Sequence, residues 1–231
     1  MPGRDQRPPV LEANSASKAY ADLVALAPTT LQIPPGQAVA LVGHNGSGKS
    51  TFLRLATGLL DLTDGSITIV GEPAGTSSAR AAVSYLPDEP VLYDDLSVRE
   101  HLAYVAALHG VTADGSDFDE LLERVGLADR ADDLPARFSR GLRQKASIAL
   151  GLVRPFEVLL VDEPFVGLDA PGKEALLEIL AELHADGAAI VVATHDPSFV
   201  ERVDRCIALR DGHVIHDGTA TPADVLRLVG A

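Results

Sequence analysis

Gly43, Gly48, Lys49 and Ser50 fall at the spacing G-x-x-x-x-G-K-[ST], inside the run GHNGSGKST from Gly43 to Thr51. Glycine lets a backbone fold so that several N–H groups point inward at the oxygens of one anion. The helix-forming stretch that follows would present the positive end of its dipole to the same anion. Such a loop suits a nucleoside triphosphate. Asn45, Gly46, Ser47, Gly48 and Thr51 would line the phosphates, Lys49 would reach the β- and γ-phosphates, and the Ser50 hydroxyl would bind Mg²⁺. The bland alternative is a glycine-rich turn with no ligand. A place between an apolar strand and a helix argues against that alternative.

The run VLLVDEP, Val158 to Pro164, supplies a second group. An Asp at the end of a buried strand is costly unless a metal or a hydrogen-bond network holds it. Beside a phosphate loop, Asp162 is placed to complete the Mg²⁺ site and Glu163 to polarise an attacking water. Alone, an apolar run ending in Asp-Glu says little, because half-buried strands often end in acids. The two groups together say much more.

The elements that must position these residues are legible from hydrophobic periodicity. Ala38 to Gly43 and Ala189 to His195 are continuous apolar runs, as in strands buried on both faces of a parallel sheet. Val10 to Gln37 reads as two short strands, Ser66 to Gly71 as another, and Lys49 to Leu60 as a buried helix. From about Ser97 to Pro155 the texture becomes wholly helical. Val98, Leu102, Val105 and Leu108 repeat at helical spacing, as do Phe118, Leu121, Leu122 and Val125, and a third helix runs from about Gly141 to Val153. Such a shift marks a helical insert in an α/β domain. The helix Lys173 to His184 turns its leucines to one side and Glu174, Glu178 and Glu182 to the other. A hairpin with its turn at Asp211-Gly212 and a last helix from about Thr221 complete the chain.

Composition sets the remaining bounds. The 231 residues suit one α/β domain, with a core of Ala, Val, Leu and Ile because aromatics are only 4%. With 33 acidic against 19 basic residues, the chain carries a formal charge of −14, which disfavours nucleic acid as a partner. The densest basic stretch, Arg137, Arg140, Arg143 and Lys145, reads as the solvated face of a helix. Cys206 is expected to be a buried structural thiol. The N-terminal MPGRDQRPPV reads as neither a leader nor a span, and no run approaches the roughly 20 apolar residues of a transmembrane helix. The expected location is cytoplasmic, with membrane contact only through a partner. His101, His109 and His213 share no metal-like spacing and are expected at the surface or in packing.

These motifs resemble the nucleotide-binding subunit of ABC transporters over nearly the whole chain. The family's signature, usually LSGGQ, corresponds to Phe138-Ser139-Arg140-Gly141-Leu142, its D-loop to FVGLDA with Asp169, and its switch loop to His195 in THD. Tyr20 stands where the family places the aromatic that stacks on adenine. The resemblance implies a P-loop NTPase of the α/β class, with a RecA-like core of mainly parallel sheet, an N-terminal antiparallel β subdomain and an inserted α-helical subdomain. The core with its β subdomain would occupy 10–93 and 156–231, and the helical subdomain about 94–155. It further implies a homodimer or pseudo-symmetric heterodimer that sandwiches two ATP molecules. Ser139 and Gly141 of one subunit would then face the γ-phosphate held by the other. Glu163, His195 and Lys49 would be the catalytic group, and a transmembrane permease the partner. Simpler readings remain for single residues: His195 as an ordinary strand-end histidine, Tyr20 as packing on the first sheet, Ser139 as a helix N-cap.

Two departures from the family stand out. Its glutamine after the strand VSYLP is replaced by Asp88, in the run Tyr85-Leu86-Pro87-Asp88-Glu89-Pro90. A carboxylate is a good Mg²⁺ ligand, so Asp88 is expected to join Ser50 and Asp162 at the metal. In the signature, Arg140 replaces a glycine and Leu142 a glutamine; Arg140 either adds positive charge to the site or points to solvent. YLP-x-EP-x-LY with an SRG signature is similar to exporters of the ABC-2 type. The expected function is ATP hydrolysis powering a separate membrane partner, with export favoured. The alternatives are an ATP-sensing regulatory module with weak hydrolysis and a soluble ABC protein of repair or translation.

Overall fold

The computed structural model describes residues 7–113 and 115–230. The first six residues of the proline-rich N-terminal stretch, and so much of the expectation about a leader, lie outside the described residues. The chain divides into two compact units. One comprises the residues up to Tyr85, Phe156–Glu163 and those from Leu183 onward; the other comprises Leu86–Pro155 and Pro164–Glu182. The helical stretch expected at about 94–155 lies within the second unit, which also takes in Pro164–Glu182.

In the first unit, β1 (Leu11–Tyr20), β2 (Leu23–Ile33), β4 (Asp64–Ile69) and the two-residue β5 (Glu72–Pro73) form an antiparallel sheet in the order β2-β1-β4-β5. Leu11 lies between Ile33 and Ile69, and Ala13 between Leu31 and Ile67, so the apolar members of an alternating pattern share one buried face. The first two strands are not short, at 10 and 11 residues. They join through a turn in which Ala21 adopts a φ of +48°, a left-handed conformation that the Ala-Asp pair does not advertise in sequence.

A second sheet has the order β10-β9-β3-β8-β7-β6, built from β3 (Ala38–Val42), β6 (Val83–Leu86), β7 (Val158–Asp162), β8 (Ala189–Thr194), β9 (Arg205–Arg210) and β10 (His213–Gly218). β3 runs parallel to both β8 and β9, and β7 parallel to β8, while β9 and β10 form an antiparallel hairpin. All residues of β3, β7 and β8 are buried, which explains why these strands read as unbroken apolar runs. α1 (Lys49–Ala56) follows β3 and buries Phe52, Leu53, Leu55 and Ala56 while Arg54 stays exposed. A short helix, α2 (Ser77–Ala82), capped by the Thr76 side chain, was not foreseen. Cys206 is fully buried in β9, and burial, aided by the charge of Asp217, pushes its thiol up to about 11. It is a packing residue.

The second unit contains α3 (Val98–Leu108), α4 (Gly115–Arg124), α5 (Arg140–Leu152) and most of α6 (Ala170–Ala185). α3 opens on a reciprocal capping box between Ser97 and Glu100. Buried His101 accepts from the Tyr93 amide through Nε2 at 2.8 Å and donates from Nδ1 to the Ser97 carbonyl at 2.7 Å. Both ring nitrogens are thereby used by a neutral imidazole, which accounts for a histidine in a packed position. α6 starts before Lys173 because Pro171 is tolerated in a first turn, and its leucines face inward as expected. α7 (Pro222–Val229) ends the chain behind a Thr221–Asp224 capping box, in the first unit. The core is dense enough that deleting buried methyls should be felt. Leu160→Ala, in the fully buried β7, should lower the free energy of unfolding in urea by about 3 kcal/mol. A loss below about 1 kcal/mol would show that β7 is not central to the cooperative core.

Candidate functional site

The site-bearing segments of the first unit gather at the carboxyl ends of β3, β7 and β8, where parallel α/β sheets offer their ligand crevice. The first of them is the loop from Gly43 to Gly48. It turns through a bond from the Ser47 amide to the His44 carbonyl at 3.1 Å. Gly46 and Gly48 have φ of +82° and +107°, values that side chains rarely allow. A Cβ on Gly43 would lie 2.3 Å from Ser47 Oγ and 2.5 Å from the Leu209 carbonyl, so that position has no room for one. Gly48 is the N-cap of α1 and offers no side-chain cap, and no acid occupies the first turn. The helix therefore starts with amides that a bound anion can satisfy. Ser47 Oγ is buried without a hydrogen-bond partner, a polar atom that a phosphate could engage.

Lys49 is 5% exposed, and its Nζ donates to the carbonyls of Gly43 at 2.7 Å and His44 at 3.3 Å. It also lies 3.4 Å from Glu163 Oε1. The other carboxylate oxygen, Oε2, accepts from His195 Nδ1 at 2.8 Å. Because a carboxylate only accepts, Nδ1 carries the proton. Lys49, Glu163 and His195 are thus one contiguous group. Glu163 holds its place in a strained conformation. Its φ is +47°, and its amide donates to the Ala193 carbonyl of β8 at 2.9 Å. A non-glycine residue in that region costs on the order of 1 kcal/mol or more and is commonly found at functional sites.

Asp162, the preceding residue, is 1% exposed at the end of β7, opposite Ala193 of β8. Burial, and then the negative charge of Asp162, push the Tyr85 phenol above its ordinary range. Ser50 is half-buried on the first turn of α1. Mg²⁺ ordinarily takes one or two protein oxygens and completes its shell with phosphate and water. A buried carboxylate and a hydroxyl beside a phosphate loop fit that requirement. Thr51, likewise half-buried, and the exposed Asn45 complete the loop's surroundings. Tyr20 closes β1, is half exposed, and has Lys18 Nζ 4.9 Å from its ring centre.

Sequence reasoning missed the brace behind the loop. The Gly212 amide donates to the Ser47 carbonyl at 3.0 Å, and the Gly212 carbonyl accepts from the Ala27 amide at 2.8 Å. His44 Nε2 lies 3.6 Å from Asp211. The Asp-Gly dipeptide was legible as a hairpin turn; its bonds to a loop more than 160 positions earlier left no local signal.

In the second unit, Ser139 is the N-cap of α5 and accepts from the Leu142 amide at 3.3 Å. Gly141 sits so close to Gly167 that an added Cβ would lie 2.5 Å from its carbonyl oxygen. Asp169 accepts from the Gly172 amide at 3.0 Å and pairs with Lys145 at 3.3 Å; those two contacts, in that order, hold its carboxyl below the usual range. Arg143 donates to the Pro135 carbonyl at 3.2 Å, and Lys145 is only 14% exposed. The basic stretch is therefore not simply a solvated helix face: three of its four cations, Arg140, Arg143 and Lys145, are engaged in contacts within the unit. Asp88 belongs to this unit and accepts from Arg140 Nη2 at 3.0 Å.

Comparison with known proteins agrees with this geometry. A family model described as ABC transporter matches residues 26–166, more than half the chain. The SkfA peptide export ATP-binding protein SkfE of Bacillus subtilis is 34% identical over 213 residues, 90% of this chain and 88% of that protein. The macrolide export ATP-binding/permease protein MacB of Bradyrhizobium diazoefficiens is 37% identical over 204 residues, 84% of this chain, which spans only 31% of that longer protein. The aliphatic sulfonates import ATP-binding protein SsuB 2 of Burkholderia cenocepacia is 38% identical over 192 residues, 82% of this chain and 69% of that protein. Among solved structures, the dimeric post-hydrolysis state of the ATP-binding cassette MJ0796, bound to ADP and Pi, superposes with a TM-score of 0.81. It is 25% identical and covers 90% of this chain and 98% of that one.

The loop geometry separates two glycines by substitution. Gly46→Ala meets no atom within 4 Å and should cost only the left-handed conformation, about 1 kcal/mol. Gly48→Ala would add a 2.8 Å approach to the Ala25 carbonyl and should lower stability by at least about 1 kcal/mol more in urea unfolding. Equal losses would mean that the loop does not hold this conformation in solution.

Proposed function

The chain belongs to the ABC transporter family, and from that premise we propose that it is an ATP-binding and ATP-hydrolysing subunit that powers a separate transmembrane partner. The observation that carries this reading is Glu163, whose carboxylate spans Lys49 of the phosphate loop and His195 of the neighbouring strand end. In the proposed reaction the loop amides and Lys49 would hold the β- and γ-phosphates, and Ser50 and Asp162 would hold Mg²⁺. The ion supplies positive charge to the phosphate oxygens when bound. Glu163 orients the attacking water and takes up its proton. His195 would donate from Nδ1 to Glu163 and, with Nε2 also protonated, from Nε2 to the γ-phosphate. Positioning and charge account for most of the acceleration in such transfers.

Two copies would complete the site, Ser139 and Gly141 of one facing the γ-phosphate held by the other, with Asp169 at the same junction. The half-exposed Tyr20 ring would stack on the base, a contact that needs no specific hydrogen bond. Among the described residues no helix is long and apolar enough to cross a membrane, so the subunit would reach the cytoplasmic face of the membrane through its partner. The segment from Asp88 to Glu100, with Val91 and Tyr93 exposed, would serve as the docking surface. The YLP-x-EP-x-LY and SRG motifs support export as its direction.

Glu163→Gln tests the reading. It should still bind ATP but release phosphate at least about a hundredfold more slowly, because the water loses its base. Near-normal turnover in a phosphate-release assay would remove Glu163 from catalysis.

A further inference from the structure

Two residues depart from the family pattern, Asp88 and Arg140, and they touch each other. They are 52 positions apart in sequence, yet Arg140 Nη2 donates to Asp88 Oδ1 at 3.0 Å within the helical unit. Where the family usually has a neutral glutamine and a glycine, this chain has an ion pair. Each departure alone would change the local charge by one unit; together they change it by none. With side chains 55% and 43% exposed, the pair lies in the class of surface ion pairs that add little to folding stability. Any further role lies in what it positions.

The rest of Arg140 shows what that is. A Cβ on Gly167 would lie 3.1 Å from Arg140 Cγ and 3.2 Å from Cδ, so the arginine's aliphatic stem lies directly over that glycine. Gly167 has a φ of +85° and fills the turn that leads to Asp169. The neighbouring Gly141 meets the Gly167 carbonyl, and Lys145, further along the same helix, pairs with Asp169. α5 therefore grips the 167–169 loop at both ends, and Arg140 extends that grip to the segment carrying Asp88. Arginine suits the task because its stem packs while its planar head stays charged and directed.

We propose that Asp88 and Arg140 act as one positioning pair: Asp88 anchors the Arg140 head, and the Arg140 stem holds the Gly167–Asp169 loop in place beside the signature turn. Asp88 is then a partner of Arg140 and not a metal ligand. The inference rests on the ATPase reading for its kinetic consequence, though not for its structural one.

A substitution cycle on the full chain tests it, with kcat, KM and the Mg²⁺ midpoint measured for ATP hydrolysis. Asp88→Gln and Arg140→Gly should each lower kcat about tenfold with KM within about twofold, as expected when a local interaction is lost without uniform binding. The double variant, Asp88→Gln with Arg140→Gly, should fall within about twofold of the weaker single variant, because both changes break the same contact, and Arg140→Lys should lie between Arg140→Gly and the unsubstituted chain. The Mg²⁺ midpoint should stay put throughout. Losses that multiply in the double variant overturn the pairing, as does a tenfold shift in the Mg²⁺ midpoint on replacing Asp88. A second readout does not depend on hydrolysis. Asp88→Asn should speed amide hydrogen exchange at residues 167–169 severalfold, although Asp88 reaches them only through Arg140. Unchanged exchange there sinks the proposal. Absence of phosphate release from the unsubstituted chain would refute the ATPase reading, and the exchange result would still decide the pair.

Discussion

A buried ammonium group is the constraint around which the first unit is arranged. Lys49 is accommodated at 5% exposure because two loop carbonyls accept from it and one carboxylate stands close. An isolated ammonium in such a place would be expelled or neutralised. The loop must therefore turn its carbonyls inward at Gly43 and His44 while its amides remain available to an anion. Glycines at positions 46 and 48, with their left-handed φ, permit that division of the backbone. Glu163 is drawn into the same arrangement. Its own left-handed backbone places one oxygen by Lys49 and the other on His195, so two strand ends and a helix start are fixed by one charge and its partners.

The strain at Glu163 is intelligible in those terms. A strand that simply continued past Asp162 would alternate the next side chain to the opposite face of the sheet. The turn at Glu163 brings consecutive acids, Asp162 and Glu163, to one region instead. The bond from its amide to the Ala193 carbonyl shows that β8 still holds the backbone as it turns. The conformational cost is local and small beside the burial of β7 and β8, whose side chains are all inside.

Much of this was legible in the sequence, and the rest was hidden for identifiable reasons. Apolar runs such as Ala38–Val42 and Val158–Asp162 read directly as buried strands, since both faces are covered. The phosphate loop, Asp162, Glu163 and His195 could be placed because each follows such a run. The length of β1 and β2 was not legible: Ala, Ser, Lys and Thr give a faint alternation, and the turn at Ala21 lacks the residues that usually mark one. Lys145 looked solvated because helical periodicity says nothing of a carboxylate on a separate loop. The meeting of Asp88 with Arg140, and of Gly212 with Ser47, depends on tertiary closure over long separations, where local pattern carries no information.

The Gly212 brace bears on the order in which the molecule is made. The phosphate loop occupies residues 43–51, but Gly212, which bonds to Ser47 and to β2, follows more than 160 positions later. β9, which flanks β3 on one side, also comes late. During synthesis the ribosome thus exposes the loop long before the chain that shapes it has emerged. A nascent or truncated chain carries the nucleotide motif in full and lacks the hydrogen bonds that hold it.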